Sequence, residues 1–246
     1  MIKPLITALR TLTILPIPGK ETKNISHSLP FFPLVGLFLG AVVYALIKLA
    51  VFAGIGQSSI IALVSLIAVT VVTGALHIDG LGDVADGFGS RKNKAEILAI
   101  FKDSRLGTFG VCAVVFDLLL KLVCWNELIQ TNRFLIIIIS LIISRSMQSI
   151  FLCFVPSARE NSLVSSFNKI PIAIKIIILL SSILHITLGG YFAGYFAVAL
   201  YFFVAFIVSL FFALYCIKKI GGFTGDCVGA LNELSEIAVV LCGTIF

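Results

Sequence analysis

SIIALVSLIAVTVVTGAL, residues Ser59–Leu76, runs without a charge into HIDGLGDVADG, residues His77–Gly87. The first piece is close to the ~20 apolar residues that a helix needs to cross a bilayer. The second carries Asp79, Asp83 and Asp86. If it is helical, the i, i+4, i+7 spacing puts all three carboxylates on one face. Side by side they repel and raise one another's pKa, so they need a cation to stay ionised together. Hard oxygen donors of this kind suit Mg²⁺, which keeps several waters and shares its shell with substrate phosphates. The plain alternative is an acidic cap on a helix N-terminus.

Composition sets the class. Of 246 residues, 59% are hydrophobic and 12% charged, against roughly 25% charged in soluble domains. Mean hydropathy is +1.14. The chain is predicted to be an all-α polytopic membrane bundle with about six or seven transmembrane helices. It reads as a single domain over residues 1–246, with its site built from helix ends and short loops. The six cysteines form no CxxC or Cys/His metal spacing and read as small core hydrophobes. The opening, MIKPLITALRTLTILPIPG, carries Arg10 in a short apolar stretch and reads as a retained interfacial helix.

The other apolar runs are Phe31–Ala53, Thr108–Val123, Phe134–Val155, Ile172–Leu188 and Tyr191–Ile217. Ile237–Phe246 spans only if its helix starts near Val228 and tolerates Glu233 and Glu236. Gly36 and Gly40 give a small-xxx-small spacing for close helix approach. Basic residues alternate from loop to loop. Lys3, Arg10, Lys20 and Lys23 precede the first run, and Arg91, Lys92, Lys94, Lys102 and Arg105 separate the second from the third. Arg159, Lys169 and Lys175 follow the fourth, and Lys218 and Lys219 the sixth, while the alternate loops hold Arg133 alone. The positive-inside rule makes the basic side cytoplasmic. The net charge of +6 is therefore a topology signal with some attraction to anionic lipid and phosphate. No basic run interleaved with aromatics points to nucleic acid.

The acidic cluster falls on that basic side, as does GGFTGDCVGALNELSE, Gly221–Glu236. There Thr224 and Asp226 offer oxygens among glycines, and Asp226, Glu233 and Glu236 are expected to add carboxylates to the same face. A turn between helices is the bland reading. In KDSRLGTFG, Lys102–Gly110, Asp103 and Arg105 flank a serine; Arg105 can grip a phosphate bidentately and Lys102 acts as a point charge. Inside the runs, Asp117 and Lys121 are expected to neutralise each other, and Arg145 to meet either a bundle carboxylate or a cavity. His77 opens the acidic motif, where it can donate to a phosphate oxygen, orient an aspartate or cap a helix. The whole looks like a Mg²⁺–diphosphate site at a membrane surface.

HIDGLGDVADGFG, then KDSRLGTFG, then GGFTGDCVGALNELSE, in that order, resemble the cobalamin synthase family, adenosylcobinamide-GDP ribazoletransferase. LTILPIPG and FFPLVGLFLG are similar to that family's opening, so the resemblance runs from about Leu12 to Glu236. Ile78 and Gly82 are variants within the first motif. The resemblance implies a Mg²⁺-dependent transferase in the bacterial cytoplasmic membrane. It would join adenosylcobinamide-GDP to α-ribazole, or its 5′-phosphate, and release GMP. On this reading Asp79, Asp83 and Asp86 hold Mg²⁺ and the diphosphate, with Asp103 a further ligand or base. Lys102 and Arg105 clamp phosphate, and His77, Thr224, Asp226 and Glu233 belong to the substrate site. Which aspartate is the base stays open, as does the oligomeric state, a homo-oligomer included. Two rivals remain. One is another membrane phospho-alcohol or prenyl transferase; the other is a cation or corrinoid transporter, which should carry its ionisable site near the bilayer midplane.

Overall fold

The computed structural model describes residues 2–160, 162–167 and 170–246; Lys169, used above for topology, lies outside them. The described residues form ten α-helices and no strand. They are α1 (Ile2–Leu12), α2 (Phe32–Phe52), α3 (Ser58–Thr73), α4 (Leu76–Gly89), α5 (Lys94–Ile100), α6 (Thr108–Gln130), α7 (Leu135–Leu152), α8 (Ile172–Ala193), α9 (Tyr195–Ile220) and α10 (Gly225–Ile245). A 3-10 turn over Ile25–Phe31 leads into α2. Six helices are long and apolar enough to cross a membrane: α2 with its lead-in, α6, α7, α8, α9 and α10.

The Ser59–Leu76 run does not form one straight helix. α3 stops at Thr73, and Gly74 (φ 62°) and Ala75 (φ 55°) both take the left-handed conformation. Their N–H groups close off α3 on the carbonyls of Val71 and Thr70, at 3.0 and 2.9 Å. The chain then turns by 86° into α4. With 14 residues, about 21 Å of helix, α4 is too short for a crossing of its own. α3, with 16 residues, is short as well; the bent pair α3–α4 makes a seventh crossing only when counted together.

Which helices lie inside follows from where the polar residues sit. The membrane-like window of α7 is 83% buried and that of α10 67%, against 17–33% for the other four. α7 carries Ser140, Ser144, Arg145, Ser146, Gln148 and Ser149, all buried. Lipid offers such groups no partner, so the helix that bears them must be wrapped by others. The Ser149 hydroxyl donates to the Leu29 carbonyl at 2.7 Å. α2 comes close at Gly36 and Gly40, where a Cβ would collide with the Leu141 backbone and the Ile138 side chain. The outer helices instead show apolar side chains such as Leu180, Phe196, Phe203 and Phe211.

Buried charge ties the inner helices together. Lys121 of α6 meets Asp117 at 3.3 Å, Glu236 at 3.4 Å and also Glu233, both glutamates lying on α10. Arg145 of α7 donates to Glu236 at 2.6 Å and to the Ser144 hydroxyl at 2.8 Å. The Asp117–Lys121 pair therefore exists, but the lysine is shared three ways. Arg145 answers to a carboxylate. α10 does begin at Gly225, and it tolerates Glu233 and Glu236 because two cations await them. These two glutamates sit inside the bundle, 3% and 2% exposed, and do not join the surface acids as expected. Five of the six cysteines are buried and all six are free. α1 does more than lie at an interface: it buries Ile6, Thr7, Ala8 and Leu12, and Arg10 is hooked onto the carbonyl of Ile17 and the carboxylate of Glu21.

Candidate active site

The acidic motif is helical, so Asp79, Asp83 and Asp86 do share one face of α4. Gly80 sets what lies opposite. A Cβ there would come within 2.7 Å of the Asp226 carbonyl oxygen, so only glycine lets α4 press against the first turn of α10. That contact brings Asp226 to the aspartates of α4. The result is visible at Asp83, whose carboxyl is raised to about 6. Burial contributes most, followed by the negative charges of Asp79, Asp226 and Asp86.

The four acids differ in what they are free to do. Both oxygens of Asp86 are taken by backbone N–H groups at the start of α6, Gly107 at 2.6 Å and Gly110 at 2.9 Å. It clasps a helix N-terminus, where orphan donors and the helix dipole both favour an acid. The capping alternative therefore describes Asp86, though for a different helix. Asp226 accepts from the Thr224 hydroxyl at 3.0 Å, and Thr224 itself caps α10 by accepting from the Cys227 N–H at 3.3 Å. The carboxylates of Asp79 and Asp83 have no hydrogen-bond partner among the described residues. No three acidic, histidine or cysteine side chains among the described residues converge tightly enough to hold a metal alone. The donors that remain, on Asp79, Asp83 and Asp226, are hard oxygens and fit a hydrated cation that completes its shell with water and phosphate.

Asp103 and Arg105 pair with each other on the exposed loop before α6. Arg105 donates Nε and Nη2 to the two Asp103 oxygens, at 3.0 and 2.7 Å. Those bonds hold the Asp103 carboxyl down at about 2. Lys102 is exposed beside them. This loop stays close to α4, since Leu106 packs where a Gly82 side chain would be. Asp103 is thus an ionised loop residue that holds Arg105, and neither lines the cavity next to Asp79.

Beside Asp79 and Asp226 opens a cavity of about 440 Å³, walled by α1, α4, α7, α10 and the loop after α7. His77 lines it while nine-tenths hidden; its Nδ1 lies 3.9 Å from Glu233 Oε1 and its Nε2 has no partner. Glu233 also takes a hydrogen bond from Asn232 Nδ2 at 3.1 Å, so it backs His77 from within the bundle. Sequence reasoning missed Gln148 and the α1 residues Thr7, Arg10 and Thr11 as wall residues. Gln148 had a signal, since it follows Ser144 and Arg145 by about one turn on a polar helix face. α1 had none, because its place on the wall depends on contacts far away in sequence.

Asp86→Ala is expected to destabilise the protein by about 1–3 kcal/mol, the range for charged hydrogen bonds whose partners are left behind. Hydrogen exchange at the Gly107 and Gly110 amides should accelerate along with it. Unchanged exchange at both would remove the clasp.

Both polar motifs, far apart in sequence, thus meet at the Gly80–Asp226 contact. Over residues 4–244 the chain matches the family model described as cobalamin-5-phosphate synthase. The chain belongs to the cobalamin-5-phosphate synthase family. Its curated relatives include proteins named adenosylcobinamide-GDP ribazoletransferase. That of Chlorobium chlorochromatii is 36% identical, covering 100% of this chain and 97% of the relative. That of Clostridium tetani is 35% identical over 90% and 86%, and that of Chlorobaculum parvum 34% over 97% and 94%. No solved structure matches the chain. For this member of the cobalamin-5-phosphate synthase family, the geometry above gives the arrangement of Asp79, Asp83, Asp86 and Asp226 directly.

Proposed function

We propose that the chain joins adenosylcobinamide-GDP to α-ribazole, or its 5′-phosphate, with release of GMP, in a Mg²⁺-dependent reaction at the cytoplasmic face of the bacterial cytoplasmic membrane. The observation that carries this reading is the approach of Asp226 to Asp79 and Asp83, with Asp79 and Asp226 lining one cavity. The relatives' names supply the reaction class. In the reaction a ribose hydroxyl oxygen bonds to the phosphorus that carries the cobinamide, and the bond from that phosphorus to the GMP oxygen breaks. The hydroxyl proton passes to one of the site's aspartates. Asp79 and Asp83, unclaimed by the protein, hold and orient the diphosphate through its counter-ion. When bound, Mg²⁺ neutralises charge on the phosphate oxygens and the leaving group. Lys102 and Arg105, on the loop before α6, draw the phosphates in, and Asp86 fixes the end of that loop to α4. Counting the bent pair α3–α4 as one crossing gives seven, and the basic loops before α2, between α4 and α6, after α7 and after α9 then fall on one side, which supports the cytoplasmic placement.

The test is GMP release by purified protein in detergent. GMP should appear only when both substrates and Mg²⁺ are present, and EDTA should abolish it. Full turnover in EDTA overturns the metal dependence. Folded protein that carries a corrinoid or a cation across a bilayer without releasing GMP overturns the transferase in favour of transport.

A further inference from the structure

The turn after α4 lies against the end of α9. Phe88 stacks edge-on against Tyr215, with ring centroids 5.1 Å apart and planes at 88°. Lys219 Nζ sits over the same Tyr215 ring, 5.6 Å from its centroid. Lys94, the first residue of α5, reaches the close of α9, where its Nζ lies 2.9 Å from where a Gly221 Cβ would stand. Two loops far apart in sequence thereby bring Arg91, Lys92, Lys94, Lys218 and Lys219 to one corner of the bundle. None of the five has an ion-pair partner among the described residues. Glu96, the acid of α5, is turned back to accept from the Asn93 N–H at 3.1 Å. Arg91, Lys92, Lys94 and Lys218 are exposed, and none of the five lines the cavity beside Asp79. Cations gathered without an acid repel one another. The positive-inside rule asks only that basic loops share a side; it does not ask that the cations of two loops be drawn together.

We infer that this corner binds the phosphate of an anionic phospholipid. The face of α9 below it selects a lipid over a free anion. Phe211, Leu214, Tyr215 and Lys218 follow one another at i, i+3, i+4 and i+7, which is one helix face, and all four are exposed. α9 is among the helices long and apolar enough to cross a membrane. Three side chains that meet acyl chains therefore lead straight to a cation one turn further on, at the depth of the headgroups. A water-soluble phosphate gains nothing from that apolar stripe. A phospholipid lays a chain along it and places its phosphate among Lys218, Lys219 and Lys94, whose ammonium groups donate to it. The bound charge relieves the repulsion within the patch. It also ties the turn after α4, the helix of Asp79 and Asp83, to the glycine turn that leads into Asp226, so the lipid braces both halves of the acidic cluster from outside.

The experiment melts the purified full-length protein in micelles of one neutral detergent, supplemented with phosphatidylcholine or with phosphatidylglycerol. The fluorescence of its single tryptophan, Trp125, follows unfolding. Phosphatidylglycerol should raise the wild-type melting temperature above that in phosphatidylcholine by about 5 °C, the scale set by a few cations that each meet a headgroup. High salt should shrink the difference. The triple variant Lys94→Gln, Lys218→Gln, Lys219→Gln should lose most of it. The charge-matched control Lys3→Gln, Lys20→Gln, Lys23→Gln should keep it. If the first triple variant does not fold in phosphatidylcholine, Arg91→Gln with Lys92→Gln, both on the exposed turn, takes its place and should lose about half. Equal melting of the wild type in the two lipids overturns the inference. So does an equal loss in the patch variant and the control, which reduces the effect to net charge. Inorganic phosphate that reproduces the rise in phosphatidylcholine would assign the patch to a free anion and overturn the lipid. Melting is independent of GMP release, so neither result bears on the transferase reading.

Discussion

Lys121→Met should destabilise the folded protein by about 3–5 kcal/mol, the usual penalty for stranding buried charges. Lys121 is 3% exposed and serves Asp117, Glu233 and Glu236 at once. With the ammonium gone, Arg145 still compensates Glu236, but Asp117 loses its only ion pair, and Glu233 keeps the Asn232 amide without an ion pair to lysine or arginine. The chain has a single tryptophan, Trp125, fully buried one turn beyond Lys121. Its fluorescence therefore reports unfolding of this region without a label. Adding Glu233→Gln to Lys121→Met should recover much of the loss, because one of the stranded charges is then removed. A double variant no more stable than Lys121→Met would show that the two residues are not energetically coupled.

Asp83→Asn should lower turnover by on the order of 10²–10³-fold, the scale of removing one electrostatic contact to a reacting centre. At the same time it should make the metal-free protein more stable at pH 8. The sign follows from the carboxyl's position at about 6, above the ordinary value near 3.9. Folding disfavours the charged form, so the penalty is absent below about pH 4. It grows between 4 and 6 and is complete above 6. Asparagine never incurs it. The melting temperature of Asp83→Asn in EDTA should thus exceed wild type at pH 8 and match it at pH 4. Saturating Mg²⁺ should close the gap at pH 8, since a ligand of the folded state stabilises it. A variant that loses activity with no gain in stability at pH 8 would refute burial of Asp83 beside the other acids as the source of the shift.

Much of this site was legible because its spacing is local. Asp79, Asp83 and Asp86 fall on one face by helix geometry alone, and the uncharged runs announce their crossings. Glu233 and Glu236 were misplaced for a physical reason. GGFTGDCVGALNELSE reads as one polar surface segment, but Glu233 lies seven residues past Asp226, about 10 Å deeper along α10. What holds it there, Lys121 and Arg145, comes from two other helices, and no local pattern pairs them. The clasp that Asp86 makes was likewise not legible. Its partners are backbone N–H groups more than twenty residues away, and backbone groups leave no trace in the residue types. The bend after α3 was hidden too, because Ala75 takes a left-handed conformation that its side chain gives no reason to expect.

The shared lysine has a consequence for how the protein is made. α10 is synthesised after every helix it binds, so Lys121 and Arg145 enter the membrane before Glu233 and Glu236 exist. Until then, α7 holds an arginine without its acid, and Lys121 has only Asp117. A nascent chain at that stage cannot close its interior, and membrane-insertion chaperones or proteases would meet it with these cations still open. The arrival of α10 both neutralises them and delivers Asp226 to the aspartates of α4. Assembly of the bundle and completion of the acidic cluster proposed above as the active site are therefore one event.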